Sequence, residues 1–146
     1  MKVKVKKTDP RAILPTYGSP QAAGADLYAL LSEDSLTIEA GACVMIGTGL
    51  SLEIPEGYVG LVYARSGLAT KKGLAPANKV GVIDSDYRGE LKVALYNQSD
   101  KAQSVVAGER IAQLVIAPYL SATFEEASEL SDTSRGSGGF GSTGNK

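Results

Sequence analysis

The sequence predicts an all-β fold, a jelly-roll-like barrel or sandwich with one short helix and a flexible C-terminal arm. Three observations predict it. Short apolar, β-branched runs recur at even spacing between turns marked by Gly, Pro and Asn. Leu91, Val93 and Leu95 interleave with Lys92, Ala94 and Tyr96 in the period of a half-buried strand. Helix is sparse, and its best stretch is Ser66–Lys72.

In chain order, Met1–Lys7 alternates Lys with Val, the pattern of a strand whose charged face meets solvent and discourages edge pairing. Leu36–Ala40, Cys43–Gly47 and Leu50–Ile54 are short strands. Pro55-Glu56-Gly57 turns the chain tightly, and Tyr58–Tyr63 is expected to return as a hairpin partner. Ser66 is placed as the N-cap of the helix. Asn78–Gly89 reads as a hairpin strand running into a polar turn. Asn97-Gln98-Ser99-Asp100 is a turn, and Val105-Val106 leads through Ala107-Gly108 into Arg110–Leu120, an apolar run suited to a strand covered on both faces. From about Glu126 the apolar pattern fades into Ser, Asp, Thr and Gly. The expected division is therefore a β domain over residues 1–127 and a flexible arm over residues 128–146.

Composition excludes several classes of chemistry. Fifteen basic and sixteen acidic residues leave a net charge of −1, whereas a general nucleic-acid binder carries a strong basic surplus. With no histidine, Ser-His-Asp and Cys-His catalysis are absent, and a single cysteine leaves no zinc site. A base acting near neutral pH is then a carboxylate. A metal, if used, is Mg²⁺ carried by a ligand's own phosphates, because that ion needs few protein ligands. Cys43 suits a reducing compartment and is read as packed rather than reactive. No apolar run reaches the length of a membrane span, and the first residues lack the apolar core of a secretory leader. The expected location is the cytoplasm, or the nucleus as well in a eukaryote.

Four segments carry polar chemistry. Arg135-Gly136-Ser137-Gly138-Gly139-Phe140-Gly141-Ser142-Thr143-Gly144 combines one cation, five glycines, three hydroxyls and one ring. Converging backbone N–H groups and a guanidinium suit phosphate, and Phe140 can cover a flat group. The glycine spacing matches G-x-G-x-x-G by accident, since that fingerprint needs a preceding strand and a following helix. Arg65-Ser66-Gly67 places a guanidinium, a hydroxyl and free N–H groups where a helix begins. In Asn78–Gly89, Asn78 offers an amide suited to a base edge, Gly81 admits a planar ligand to the backbone, and Asp84 ends an apolar run as a partly desolvated acid. Gln113 is a polar side chain within an apolar strand and needs a partner. Read singly, each has a plain alternative: a disordered tail, a helix cap or an Asp-Ser-Asp turn.

Taken together, these pieces closely resemble the trimeric dUTPase family. The resemblance rests on five ordered motifs: Ala23-Gly24-Ala25-Asp26-Leu27, Ala64–Ala69, Asn78–Gly89, Gly108–Gln113 and Arg135–Gly144. Ala64 departs from the family, which often has proline before the arginine.

That resemblance implies a homotrimer whose three sites lie between subunits and draw motifs from more than one chain. The same resemblance implies hydrolysis of dUTP to dUMP and pyrophosphate, keeping uracil out of DNA and supplying dUMP for dTTP synthesis. It implies that Asp84 activates the water that attacks the α-phosphorus. Asn78 with Gly81, Val82 and Ile83 would hold the uracil edge, Tyr87 would exclude a 2′-hydroxyl, and Phe140 would stack on the base. Arg65, Ser66, Gly67 and Gln113 would hold the α and β phosphates, and Arg135, Gly141, Ser142 and Thr143 the terminal one. Asp26 would hold a water of the Mg²⁺ ion. Asp86 and Arg88 are read as structural. Two alternatives stay open on the same architecture: a dCTP deaminase and a dUTP-binding protein without turnover.

Overall fold

A computed structural model describes residues 1–139 of the chain. The strands in order are β1 Lys4–Lys7, β2 Thr16–Tyr17, β3 Ala25–Tyr28, β4 Ser35–Ile38, β5 Cys43–Gly47, β6 Leu50–Glu53 and β7 Tyr58–Tyr63. After the helix α1, Ser66–Lys72, come β8 Leu74–Pro76, β9 Gly81–Ile83, β10 Lys92–Asn97, β11 Gln103–Val106 and β12 Arg110–Pro118. The largest sheet has the order β2-β3-β12-β7-β9. Facing it are β5-β10-β8 and the pairs β1-β6 and β11-β4, and every ladder is antiparallel.

Period-two alternation explains the core. Val93, Leu95 and Asn97 on β10 turn inward while Lys92 faces solvent. Leu27, Ile38, Ile46, Leu50, Leu74 and Ile111 join them, each essentially inaccessible. β12 binds β3 on one edge and β7 on the other, and its Ile111, Ala112 and Leu114 are buried while Gln113, Val115, Ile116 and Ala117 are partly covered. Buried Asn97 is fully engaged. Its amide donates to the carbonyls of Ile38 and Lys101, and its oxygen accepts from the Ser99 N–H and hydroxyl.

Several expectations are corrected. β6 and β7 are not a hairpin pair: the Pro55 turn closes through the Tyr58 N–H at 3.2 Å, but β6 pairs with β1 and β7 with β12 and β9. Both flanking runs turn apolar faces inward, so they stack in opposite layers. A Cβ on Gly60 would lie 2.8 Å from the Ile54 side chain. β8 and β9 likewise separate, one to β10 and the other to β7, so Asn78 lies in the turn between them rather than on a hairpin strand. Arg65, not Ser66, occupies the helix N-cap position, with extended backbone and no side-chain cap. Ser66 is the first helical residue, because the Arg65 side chain is held elsewhere, as described below. Cys43 is exposed: it shares the outward face of β5 with Met45, while Ile46 faces the core.

The last strand ends at Pro118, and residues 118–137 are exposed.

Candidate functional site

Two polar sites form at separate places on the chain. The first lies where β3, β12 and the start of α1 meet. Register places Asp26 beside Gln113, and Gln113 beside Tyr63, the last residue of β7. Two residues later the chain presents Arg65, then Ser66 and Gly67 on the first turn of α1. Asp26, Arg65, Ser66, Gly67, Arg110 and Gln113 line one cavity of about 230 Å³. Thus Arg65, Ser66, Gly67 and Gln113, expected to share a task, do stand together, with Asp26 among them.

Electrostatics orders this cavity. Buried Asp26 accepts from Arg65 Nε at 2.7 Å through one oxygen and from Arg110 Nη1 at 3.1 Å through the other. One carboxylate between two guanidiniums leaves an excess positive charge beside unpaired helix N–H groups, which is an anion-binding arrangement. Gln113 donates to the Ala64 carbonyl at 2.9 Å, so the amide in the apolar strand has the partner it needs. Gly24 leaves room for this side chain, since a Cβ on it would sit 2.7 Å from Gln113 Oε1 and push the amide aside.

Among the described residues, Asp26 is the one carboxylate lining this cavity. An ionised carboxylate has about four acceptor positions, and the arginines use one on each oxygen. The remaining capacity fits an outer-sphere partner of a metal-bound water. No group of three or more acidic or Cys side chains that could cage a metal exists among the described residues.

The second site is the Asn78–Glu90 segment. Asn78 sits in the turn before β9, with its side-chain nitrogen 3.3 Å from where a Cβ on Gly81 would be. Val82 and Ile83 follow on β9, Val82 being 63% exposed. Asp84 stands immediately after the strand and is exposed, so burial on this chain alone does not desolvate it as expected. The Tyr87 N–H returns to the Asp84 carbonyl at 3.2 Å. Arg88 Nη1 then donates to the carbonyls of Ser85 and Tyr87, which supports the structural role read for it. Tyr87 is half-exposed and donates to the Glu90 carbonyl at 3.1 Å. Val82, Ile83, Asp84 and Tyr87 share a cavity of about 320 Å³ with Met45 and Lys92, neither of which the sequence reading singled out.

A larger cavity, about 670 Å³, opens on the other side of Asp84 and reaches Glu53, Asp86 and Arg88. A hydrogen bond from Lys4 holds the Glu53 carboxyl below its ordinary range, which makes it a weaker base.

The two sites are distant on one chain. Ile83 stands opposite Gly60, and Arg65 follows five residues along β7 and its extension. Five extended residues span about 16 Å, and antiparallel pairing carries Asp84 further from Arg65 still. Arg110 is the residue of the phosphate-type cavity to which sequence reasoning gave no role; the signal was a cation opening an otherwise apolar strand. Arg135 stands apart from both cavities and donates to the Gly138 carbonyl at 2.8 Å. Phe140, Gly141, Ser142 and Thr143 lie outside the described residues.

Comparison with known proteins places the chain in a family. The dUTPase family model matches residues 10–144. The deoxyuridine 5'-triphosphate nucleotidohydrolase of Nautilia profundicola is 50% identical over 144 residues, covering 99% of each chain. That of Hydrogenobaculum sp. is 49% identical over 146 residues, covering all of each. The solved dUTPase of Staphylococcus bacteriophage 80alpha with dUPNHPP superposes with a TM-score of 0.88 at 30% identity, covering 98% of each chain. The chain belongs to the dUTPase family and has its jelly-roll-like β fold.

Proposed function

We propose that three copies of this chain build each active site, in which dUTP is hydrolysed to dUMP and pyrophosphate. The hydrolysis itself follows from family membership. The sharing rests on one observation: a carboxylate-bearing turn and a two-arginine cavity, each suited to half of dUTP, stand apart on a single chain. A homotrimer brings the turn of one copy to the cavity of the next. A third copy lends the arm, residues 128–146, beyond a β domain of residues 1–127.

Uracil is held by Asn78 and the backbone of Gly81, Val82 and Ile83. Tyr87 lies against the deoxyribose and leaves no room for a 2′-hydroxyl. Asp84 takes a proton from water as its oxygen bonds to the α-phosphorus, and the bond to the bridging oxygen breaks to release pyrophosphate. Covering by the neighbouring copy supplies the desolvation that Asp84 lacks on one chain. Arg65, Ser66, Gly67 and Gln113 fix the α and β phosphates, while Asp26 holds Arg65 in place and would accept from a water of a bound metal ion. Mg²⁺ on the phosphates supplies charge neutralisation when bound. Arg135, Gly141, Ser142 and Thr143 hold the terminal phosphate, and Phe140 stacks on the base. The cytoplasm is the location we assign. No described helix is long and apolar enough to cross a membrane.

Pyrophosphate release should be rapid from dUTP and far slower from dTTP, dCTP and UTP. Ammonia from dCTP would identify a deaminase instead, and tight dUTP binding without turnover a binding protein. A fully active monomer on a sizing column would overturn the shared site.

A further inference from the structure

We propose that Lys72 and Glu109 are positioning residues for the phosphate grip, fixing the far end of α1 so that Arg65, Ser66 and Gly67 meet the phosphates in register. The inference rests on the phosphate role just assigned to that helix start. It comes from how little else holds the helix. α1 has seven residues, too few for intrinsic stability. It buries one side chain, Leu68, and its first turn has no side-chain cap.

The far end is tied firmly. Gly73 closes it in the left-handed conformation, with its N–H on the Ala69 carbonyl. Lys72 Nζ donates to Glu109 Oε1 at 2.7 Å and to the Ser104 carbonyl at 2.9 Å. Glu109 is held in turn, because its Oε2 accepts the Val106 N–H at 3.0 Å and its own N–H reaches the Val106 carbonyl at 3.0 Å. Neither partner is a loose surface charge: the side chains are 35% and 21% exposed.

The next residue serves the other end of the same helix. The Arg110 carbonyl accepts from Arg65 Nη1 at 3.3 Å, and the Arg110 guanidinium shares Asp26 with Arg65. Residues 109 and 110, adjacent in the chain, therefore hold both ends of α1. Seven helical residues span about 10 Å. Freeing the far end lets the helix axis tilt; a tilt of roughly ten degrees shifts one end relative to the other by nearly 2 Å and re-aims the first turn, and errors of about 1 Å in position are enough to lower rates substantially.

Steady-state kinetics on Lys72→Met, Glu109→Gln and Lys72→Arg, with deoxyuridine as a competitive inhibitor, test this. Lys72→Met and Glu109→Gln should each lower kcat/KM for dUTP by about tenfold. The deoxyuridine inhibition constant should stay within twofold, because the nucleoside is held by the other site. Lys72→Arg should recover most of the loss, and the double variant should lose no more than either single one. Unchanged dUTP kinetics in both single variants would overturn the proposal. Equal weakening of dUTP and deoxyuridine would also overturn it, by revealing general destabilisation. Should one variant fail to fold, the other reads the same pair. Failure of the parent protein to hydrolyse dUTP would instead refute the functional reading beneath it.

Discussion

The phosphate cavity and the nucleoside turn are built on opposite principles. The cavity gathers Asp26, Arg65, Arg110 and Gln113 from distant parts of the chain and orders them by charge: two guanidiniums on one buried carboxylate. The turn is made of consecutive residues, held by their own backbone and by Arg88 on the Ser85 and Tyr87 carbonyls. The charged centre of the cavity is sheltered on a single chain, with Asp26 buried and Arg65 partly buried, whereas Asn78, Asp84 and Tyr87 are all exposed. A charged grip can be preorganised by its own counter-charges. A base pocket and a general base need a covering surface, which the proposed trimer would supply from another copy.

The largest expected effect tests this division directly. Asp84→Asn should lower kcat by about 10³-fold while dUTP still binds, as loss of a general base allows. Arg65→Ala should be inactive through the other site. Chains carrying the two substitutions, co-expressed, should regain measurable pyrophosphate release, since mixed particles contain sites with an intact turn and an intact grip. No recovery in mixed particles would place both halves of each site on one chain.

A smaller effect separates the two tasks of Asp26. Asp26→Asn should lower kcat/KM for dUTP by about tenfold or more by releasing Arg65. If orientation of the arginine dominates, saturating Mg²⁺ in the assay will not restore the loss. Recovery at high Mg²⁺ would shift the weight to the metal-bound water.

The smallest effect concerns discrimination rather than rate. Tyr87→Ala should narrow the preference for dUTP over UTP by about tenfold, with dUTP turnover retained in larger part. The cavity should be indifferent to this change, so inhibition by pyrophosphate should match the parent. An unchanged dUTP to UTP ratio would remove the ring from sugar selection.

Much of the nucleoside turn was legible in the sequence because its determinants are local. Asn78, Gly81, Asp84 and Tyr87 lie within ten residues, and the short strand Gly81–Ile83 announces itself by composition. The segments of the cavity were also legible as motifs, but Arg110 was not, because its partner Asp26 lies 84 residues away. The helix was found to the residue, and its cap was displaced by one position because Arg65 answers to Asp26 rather than to its own turn.

The amino-acid order alone determined the all-β class, the inward face of β10, the place of the single helix, and which residue types carry the chemistry. Periodicity and turn preference act over a few residues and need no partner. Only the tertiary structure decided that β6 and β7 stack in opposite layers, that Cys43 faces outward, and that one aspartate holds two arginines. Strand partners and ion pairs are chosen by competition among segments far apart in the chain, and a local pattern that shows which face is apolar does not encode which surface will cover it.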